Sequence, residues 1–365
     1  MHNGRVRGPV QKSIGENIMP AVLGHFLVFR ETALALIDEY GEEAAKVLRV
    51  EPKYERKMDP KTDDSKMFPS PYRGKSDGGL TKYGYIGSCG PDICYMHNRI
   101  MHKGESRWAD LTHYHNSGRF VAYLVDLAKT HKDSDLGLRI MAFTIGYITH
   151  IMADAIVHPY VNTFAGAYHH QVASKEAHQT IEVNMDSWMA KHYYGLKDIT
   201  TTGISHSWSD YVDDSNWIGK ASDRAKEFFK EINEVFMSTY GEYPDGKNAA
   251  DGLEYLLVSY YNFWSFVLDI GYDTALGPVP TNPNPGMVTR FRQENYPSYL
   301  FKAKKAAVEA CIKALDYWSG KAGRDDLLEY MGNWNLDTGY RIKVSSEGGQ
   351  LCIKYEHSWA VYDVP

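Results

Sequence analysis

His150, Asp154 and His158 stand four residues apart in FTIGYITHIMADAIVHPY, positions 143–160. Side chains at that spacing share a helix face, so the three form one stripe. Each step turns about 40° and climbs about 6 Å, which sets the first and last roughly 12 Å apart along the axis. One mononuclear site does not span that distance; a row of metal ions along a shared helix does. His178 and Glu182 repeat the same spacing, which lets two side chains clamp one ion, and Asp186 extends their stripe. His25, Asp92 and His113 bring the candidate ligands to five histidines and three carboxylates. His115 competes with His113, because the HxH pair leaves the choice open. Imidazole and carboxylate donors without a thiolate suit zinc in catalytic rather than structural sites. Several such ions close together point to metal-assisted hydrolysis, most typically of phosphate esters, with a metal-activated water as nucleophile.

Each residue has an ordinary use when taken alone. His25 fits a core or capping histidine, Asp92 a turn former, and His150 and His158 hydrogen-bonded core imidazoles. The background decides for chemistry. Residues 143–160 carry no lysine, arginine or glutamate, so this helix belongs inside the protein. An unpaired carboxylate there costs several kcal/mol, and something must compensate Asp154. Pro159 biases His158 out of helical geometry and predicts that the third group sits at the helix end.

The elements that must position these residues are helical. Apolar spacing predicts a helix from Pro20 to about Leu48, with Gly41 as a break and His25 in the first turns. Residues 51–82, rich in Pro, Gly, Asp and Lys, read as an insertion loop, a lid, a specificity loop or a disordered segment. Gly90-Pro91-Asp92 reads as a sharp turn. Trp108–Lys129 carries the HxH pair and then an amphipathic helix from about Ser117. The central helix is expected over Asp135–Val157, and another from His169 to about Tyr194. Ala221–Tyr240 and the aromatic-rich Ala249–Gly271 follow, with 195–220 and 277–286 as loops and Gln293–Gly320 helical with a basic, solvated middle. From Arg341 the alternating residues about Gly348-Gly349 predict a β-hairpin. The fold class is therefore all-α with a short C-terminal hairpin. Its expected parts are an extension at 1–19, a helical metal-binding catalytic domain at 20–320 and a β-containing tail at 321–365.

Composition bounds the partners. With 365 residues, 43% hydrophobic and 24% charged, the chain reads as a soluble globular protein able to bury a substantial core. A net charge of −6, with no basic or aromatic cluster near the ligands, argues against nucleic acid. No uninterrupted apolar run spans a bilayer, although transient contact with a membrane surface is compatible with the sequence. No secretory signal is visible at the N-terminus, which leaves a cytoplasmic protein or, with a signal removed, a secreted one. The four cysteines, Cys89, Cys94, Cys311 and Cys352, form no CxxC pair and are too few for a disulfide framework; Cys89 and Cys94, which flank the Gly-Pro-Asp turn, read as small buried thiols, with a disulfide as the alternative.

Five segments in order resemble the zinc-dependent phospholipase C family, related in fold to the single-strand-specific zinc nucleases. They are GHFLVFRETALALID around His25, GSCGPDICY around Asp92, ADLTHYHNSGRF around His113, GYITHIMADAIVHPY, and AHQTIEVNMD with His178 and Glu182. Together they span roughly residues 19–195. The resemblance implies an all-α core with up to three zinc ions at the bottom of a cleft. It assigns Asp92, His113, His150 and Asp154 to one ion and His158, His178 and Glu182 to a second. His25 shares a third with Asp154 as bridge, and Asp92 orients or deprotonates the attacking water or serves as a ligand alone. In the secreted bacterial members an N-terminal tryptophan completes the third ion. No tryptophan precedes His25 here, which leaves that site absent, weak or completed by another group; two zinc ions are the expectation. The implied activity is a phosphoric diester hydrolase acting on a phospholipid or related phosphate ester. A nuclease or nucleotidase of the same fold is the nearest alternative, and a non-catalytic, metal-stabilised binding protein is the alternative of another class.

Overall fold

The computed structural model describes residues 22–49, 81–97, 107–166, 223–268, 296–347 and 350–356, with scattered positions in 174–185. The described chain is all-α apart from a small antiparallel sheet near the C-terminus. Helices α1 (Val22–Tyr40) and α2 (Glu42–Leu48) meet at Gly41, whose φ of 74° is the left-handed turn that glycine adopts without strain. Next come α3 (Lys82–Gly87), α4 (Gly90–Ile93), α5 (Arg107–Tyr114) and α6 (Ser117–Thr130). The long α7 (Asp135–Ala165) is followed by α8 (Asp223–Tyr240), α9 (Ala249–Leu268), α10 (Tyr296–Ser319) and α11 (Arg324–Met331). Strands β1 (Trp334–Asn335), β2 (Tyr340–Glu347) and β3 (Gln350–Glu356) close the described chain. The expected hairpin is β2–β3, with Glu347 opposite Gln350. The expected loops at 195–220 and 277–286, the extension at 1–19 and the expected loop at 51–82 lie outside the described residues, except that Thr81 and Lys82 of that loop cap and begin α3.

Helix α7 is the axle of the fold, and α1, α3, α6 and α10 pack around it. The Ser134 hydroxyl caps its start by accepting from the Gly137 amide at 3.2 Å, satisfying one of the donors a helix leaves open. By length and composition α7 could cross a membrane, yet 94% of its most apolar window is buried in the protein. Its apolar faces therefore meet other helices. Phe143 and Tyr147 join Phe120, Phe228, Phe236 and Tyr240 in an aromatic cluster linking α6, α7 and α8. At the start of α7 the buried Arg139 guanidinium forms an ion pair with Asp135 at 2.8 Å and donates to Glu227 of α8 at 2.7 Å. Helix α10 turns Ala303, Ala306, Ala307, Ala310 and Ala314 inward, and these small residues bring its backbone close to the core. The aromatic stripe of α9 is core where described: Tyr255, Leu256 and Tyr260 are buried.

Two expectations need correction. Helix α7 does not end near Val157 or at His158; it runs through Pro159 to Ala165. A proline inside a helix removes one amide donor and crowds the carbonyl four residues earlier, here that of Ala155. Gly339 lies against this spot: a side chain there would place its first carbon 2.2 Å from the Ala155 carbonyl oxygen and 2.7 Å from the Pro159 ring. Tertiary packing thus overrides the local bias, and His158 is fully helical. The Gly90-Pro91-Asp92 turn is likewise the start of helix α4, with proline in the first turn, where its missing N–H costs nothing.

Candidate metal centre

Backbone contact between α3 and α7 places the first imidazole. A side-chain carbon at Gly87 would lie 2.1 Å from the Phe143 carbonyl oxygen, and one at Gly146 would lie 2.0 Å from that of Gly84. Only glycine permits this approach. It brings the Ser88 carbonyl to 2.9 Å from His150 Nδ1, one turn beyond Gly146. Three further histidines are held in the same way. His113 Nδ1 donates to the Ala109 carbonyl at 2.7 Å, and His158 Nδ1 donates to the Leu336 carbonyl at 2.9 Å. His178 Nδ1 lies 3.1 Å from the amide oxygen of Asn162. An Nδ1 that donates leaves Nε2 as a bare lone pair, the state in which imidazole binds metal.

All four Nε2 atoms point at carboxylates. His113 Nε2 lies 3.2 Å from Asp92 Oδ1, and His150 Nε2 lies 2.9 Å from Asp154 Oδ2. His158 and His178 place Nε2 3.2 Å and 3.0 Å from Glu182 Oε1. Asp154 joins the two groups, since its Oδ1 lies 3.6 Å from His158 while its Oδ2 faces His150. His25 reaches the same carboxylate, 3.3 Å from Asp154 Oδ1, and stacks on His150 with ring centroids 4.0 Å apart. The eight candidates are buried, Asp92 and His150 completely. His115 is exposed, with its amide donating to the Leu111 carbonyl and its carbonyl accepting from the Tyr240 hydroxyl; the HxH pair therefore sends His113 inward.

A metal fits this arrangement. Lone pairs facing lone pairs repel unless a proton or a cation lies between them. His150 Nε2 and Asp154 Oδ2, though 2.9 Å apart, lack the alignment of a hydrogen bond. Among the described residues, His25 Nδ1, Asp92 Oδ2, His150 Nε2, Asp154 Oδ2 and Glu182 Oε2 are all buried without a hydrogen-bond partner. Five such atoms in one place would cost several kcal/mol if left so, and buried polar groups are seldom left so. Three groups hold ligand atoms within 4.8 Å of one another: His25, His150 and Asp154; Asp92, His113 and His150; and His158, His178 and Glu182.

The charges of these groups act on one another. Burial lowers the His25 pKa to about 4, helped by the neighbouring His150. Burial works against the cation at His158 too, but Asp154 and then Glu182 outweigh it and raise its pKa to about 10. The His150 pKa is raised by Asp154 and Asp92 against the same burial. Burial disfavours the ionised carboxyls, yet His178 and His158 hold Glu182 down to about 2, and His150 leads the groups that lower Asp154.

A cavity of about 20 Å³ opens beside this cluster, enough for a water molecule. His25, Asp154, His158 and Glu182 form its polar wall, and Val28, Val157, Met185 and Leu300 its apolar one.

Comparison with known proteins bears on the same residues. The family model for zinc dependent phospholipase C matches residues 81–241. Over that segment the chain is similar to the zinc dependent phospholipase C family. No curated protein and no solved structure matches the chain. The family segment contains seven of the eight candidates; His25 lies before it, and Leu336, the anchor of His158, lies beyond it. Zinc chemistry of a phospholipase-like hydrolase is thereby supported, together with buried groups able to hold it.

The sequence reading missed the residues behind the ligands. Asn162 continues the stripe of 150, 154 and 158 by one more step of four, so periodicity could have found it. Ser88, Ala109 and Leu336 act through backbone carbonyls and leave no signature of residue type.

Proposed function

We propose that this protein is a zinc-dependent phosphodiesterase that hydrolyses a phospholipid or a related phosphate ester. The observation that carries the reading is the uniform clamp on His113, His150, His158 and His178, each held through Nδ1 with Nε2 turned to a buried carboxylate. Asp92, His113, His150 and Asp154 would hold one zinc ion, and His158, His178 and Glu182 a second. His25 would complete a third position with Asp154. When bound, zinc draws charge from phosphoryl oxygens and makes a nearby water more acidic.

The chain supplies the rest. Asp92 Oδ1 faces His113 Nε2 at 3.2 Å, while Asp92 Oδ2 has no hydrogen-bond partner among the described residues and can accept a proton. A water attacks phosphorus as Asp92 Oδ2 takes its proton, the bond from phosphorus to the leaving oxygen breaks, and that oxygen takes a proton from solvent to leave as an alcohol. The clamped imidazoles keep the donor set rigid, so little reorganisation accompanies the step. Val28, Val157, Met185 and Leu300 keep bulk water from one side and offer an apolar surface to the substrate. That wall favours a substrate with an apolar part beside its phosphate over a polynucleotide.

Parallel assays on phosphatidylcholine, single-stranded DNA and a generic phosphodiester test the reading. Zinc-dependent hydrolysis of the phospholipid is expected. Full activity in His150→Ala and Asp154→Ala variants, or hydrolysis of DNA alone, would overturn it.

A further inference from the structure

Residues beyond the family segment reach back to the proposed second zinc position. The Leu336 amide donates to the His113 carbonyl at 2.9 Å, and the Leu336 carbonyl accepts from His158 Nδ1 at 2.9 Å. The next residue, Asp337, is 7% exposed and faces Asn162 of α7. The Asn162 amide nitrogen donates to the Asp337 carbonyl at 2.8 Å and to Asp337 Oδ1 at 3.0 Å. Two acceptors on one side of an amide fix which end is nitrogen, so its oxygen is the end that faces His178 Nδ1 at 3.1 Å. The chain of donors runs one way, from His178 to Asn162 to Asp337, and it leaves Nε2 of His178 bare.

We propose that Asn162 and Asp337 are positioning residues of the second zinc position, selecting the tautomer and direction of His178 through the Asn162 amide. The inference rests on the proposed zinc site. It assigns a role there to a segment near residue 337 that lies outside the family match and is held against α7 by the close approach of Gly339 to Ala155 and Pro159. His158 is anchored by the neighbouring residue of the same segment, so one short turn orients both imidazoles that face Glu182. Partners behind a metal-binding imidazole typically contribute about 10- to 100-fold in metal affinity.

The test is zinc titration of the full-length metal-free protein against a chromophoric chelator, comparing wild type, His178→Ala, Asn162→Leu and Asp337→Ala. The His178→Ala variant identifies which class of zinc belongs to the second position. Asn162→Leu is expected to weaken that class by about 10- to 100-fold and to leave the other class unchanged. Asp337→Ala should weaken the same class less, because the Asp337 carbonyl still accepts from Asn162. Unchanged binding in Asn162→Leu, or equal weakening of both classes, would show a role in folding only and overturn the proposal. Should Asn162→Leu fail to fold, Asp337→Ala decides on the same two readings. Wild type that takes up no zinc overturns the zinc site itself, and this inference with it.

Discussion

The imidazoles of His113, His150 and His158 spend their Nδ1 hydrogens on backbone carbonyls, which leaves Nε2 one use, to donate a lone pair. His25 differs: its Nδ1 has no hydrogen-bond partner among the described residues, and its ring lies flat on His150. A ligand without a partner behind it is less well fixed and holds metal less firmly. His25→Ala is therefore expected to remove less zinc than His150→Ala, and zinc analysis of the two variants checks the order. Equal loss from both would show His25 to be a full member of the first group. His115→Ala, at an exposed position four helical residues from Leu111, should bind zinc and turn over substrate as wild type does. The ligand candidates were legible in the sequence because their types and spacing are chemical. Asn162 was legible too, had the stripe been followed one step further.

At the scale of elements, the site depends on how closely α3 and α7 approach. The contact at Gly146 is backbone on backbone: a methyl group there would meet the Gly84 carbonyl oxygen at 2.0 Å and the Ser88 amide nitrogen at 2.7 Å. No flexible side chain can yield, so Gly146→Ala must push α3 away and carry the Ser88 carbonyl off His150. We expect a stability loss of about 1–3 kcal/mol, read by thermal or urea unfolding, together with weaker zinc binding. A variant with wild-type stability and zinc affinity would refute this account of the interface. Helix periodicity made α1, α6, α8 and α10 readable, since each buries one face. It misjudged the end of α7, because the packing of Gly339 against the Ala155–Pro159 turn comes from a segment more than 170 residues away and has no local sign. Helix α11 and strand β1 also went unread; they are short and polar, with Leu327, Met331, Trp334 and Leu336 as their buried anchors.

At the scale of the whole molecule, the family segment does not build the site alone. Helix α7 is bracketed by α1 and α10, and His158 leans on Leu336, all outside residues 81–241. We propose that residues 324–340 work as part of the helical domain rather than as a separate tail. A fragment limited to 81–241 is expected neither to fold cooperatively nor to bind zinc, as circular dichroism and metal analysis would show. A folded, zinc-loaded fragment would contradict that view. Chelation should lower the melting temperature of the intact protein, because ions that bind only the folded state stabilise it by mass action. The loss should be smaller in Asp154→Ala, whose carboxylate joins the two groups.

Metal analysis of the purified full-length protein tests the central claim most directly. The clamped imidazoles and the partnerless carboxylate oxygens predict about two zinc ions per chain, retained through gel filtration and reduced to about one in the His150→Ala, Asp154→Ala double variant. Substoichiometric zinc in wild type after incubation with excess zinc, or the same zinc content in the double variant, would contradict it.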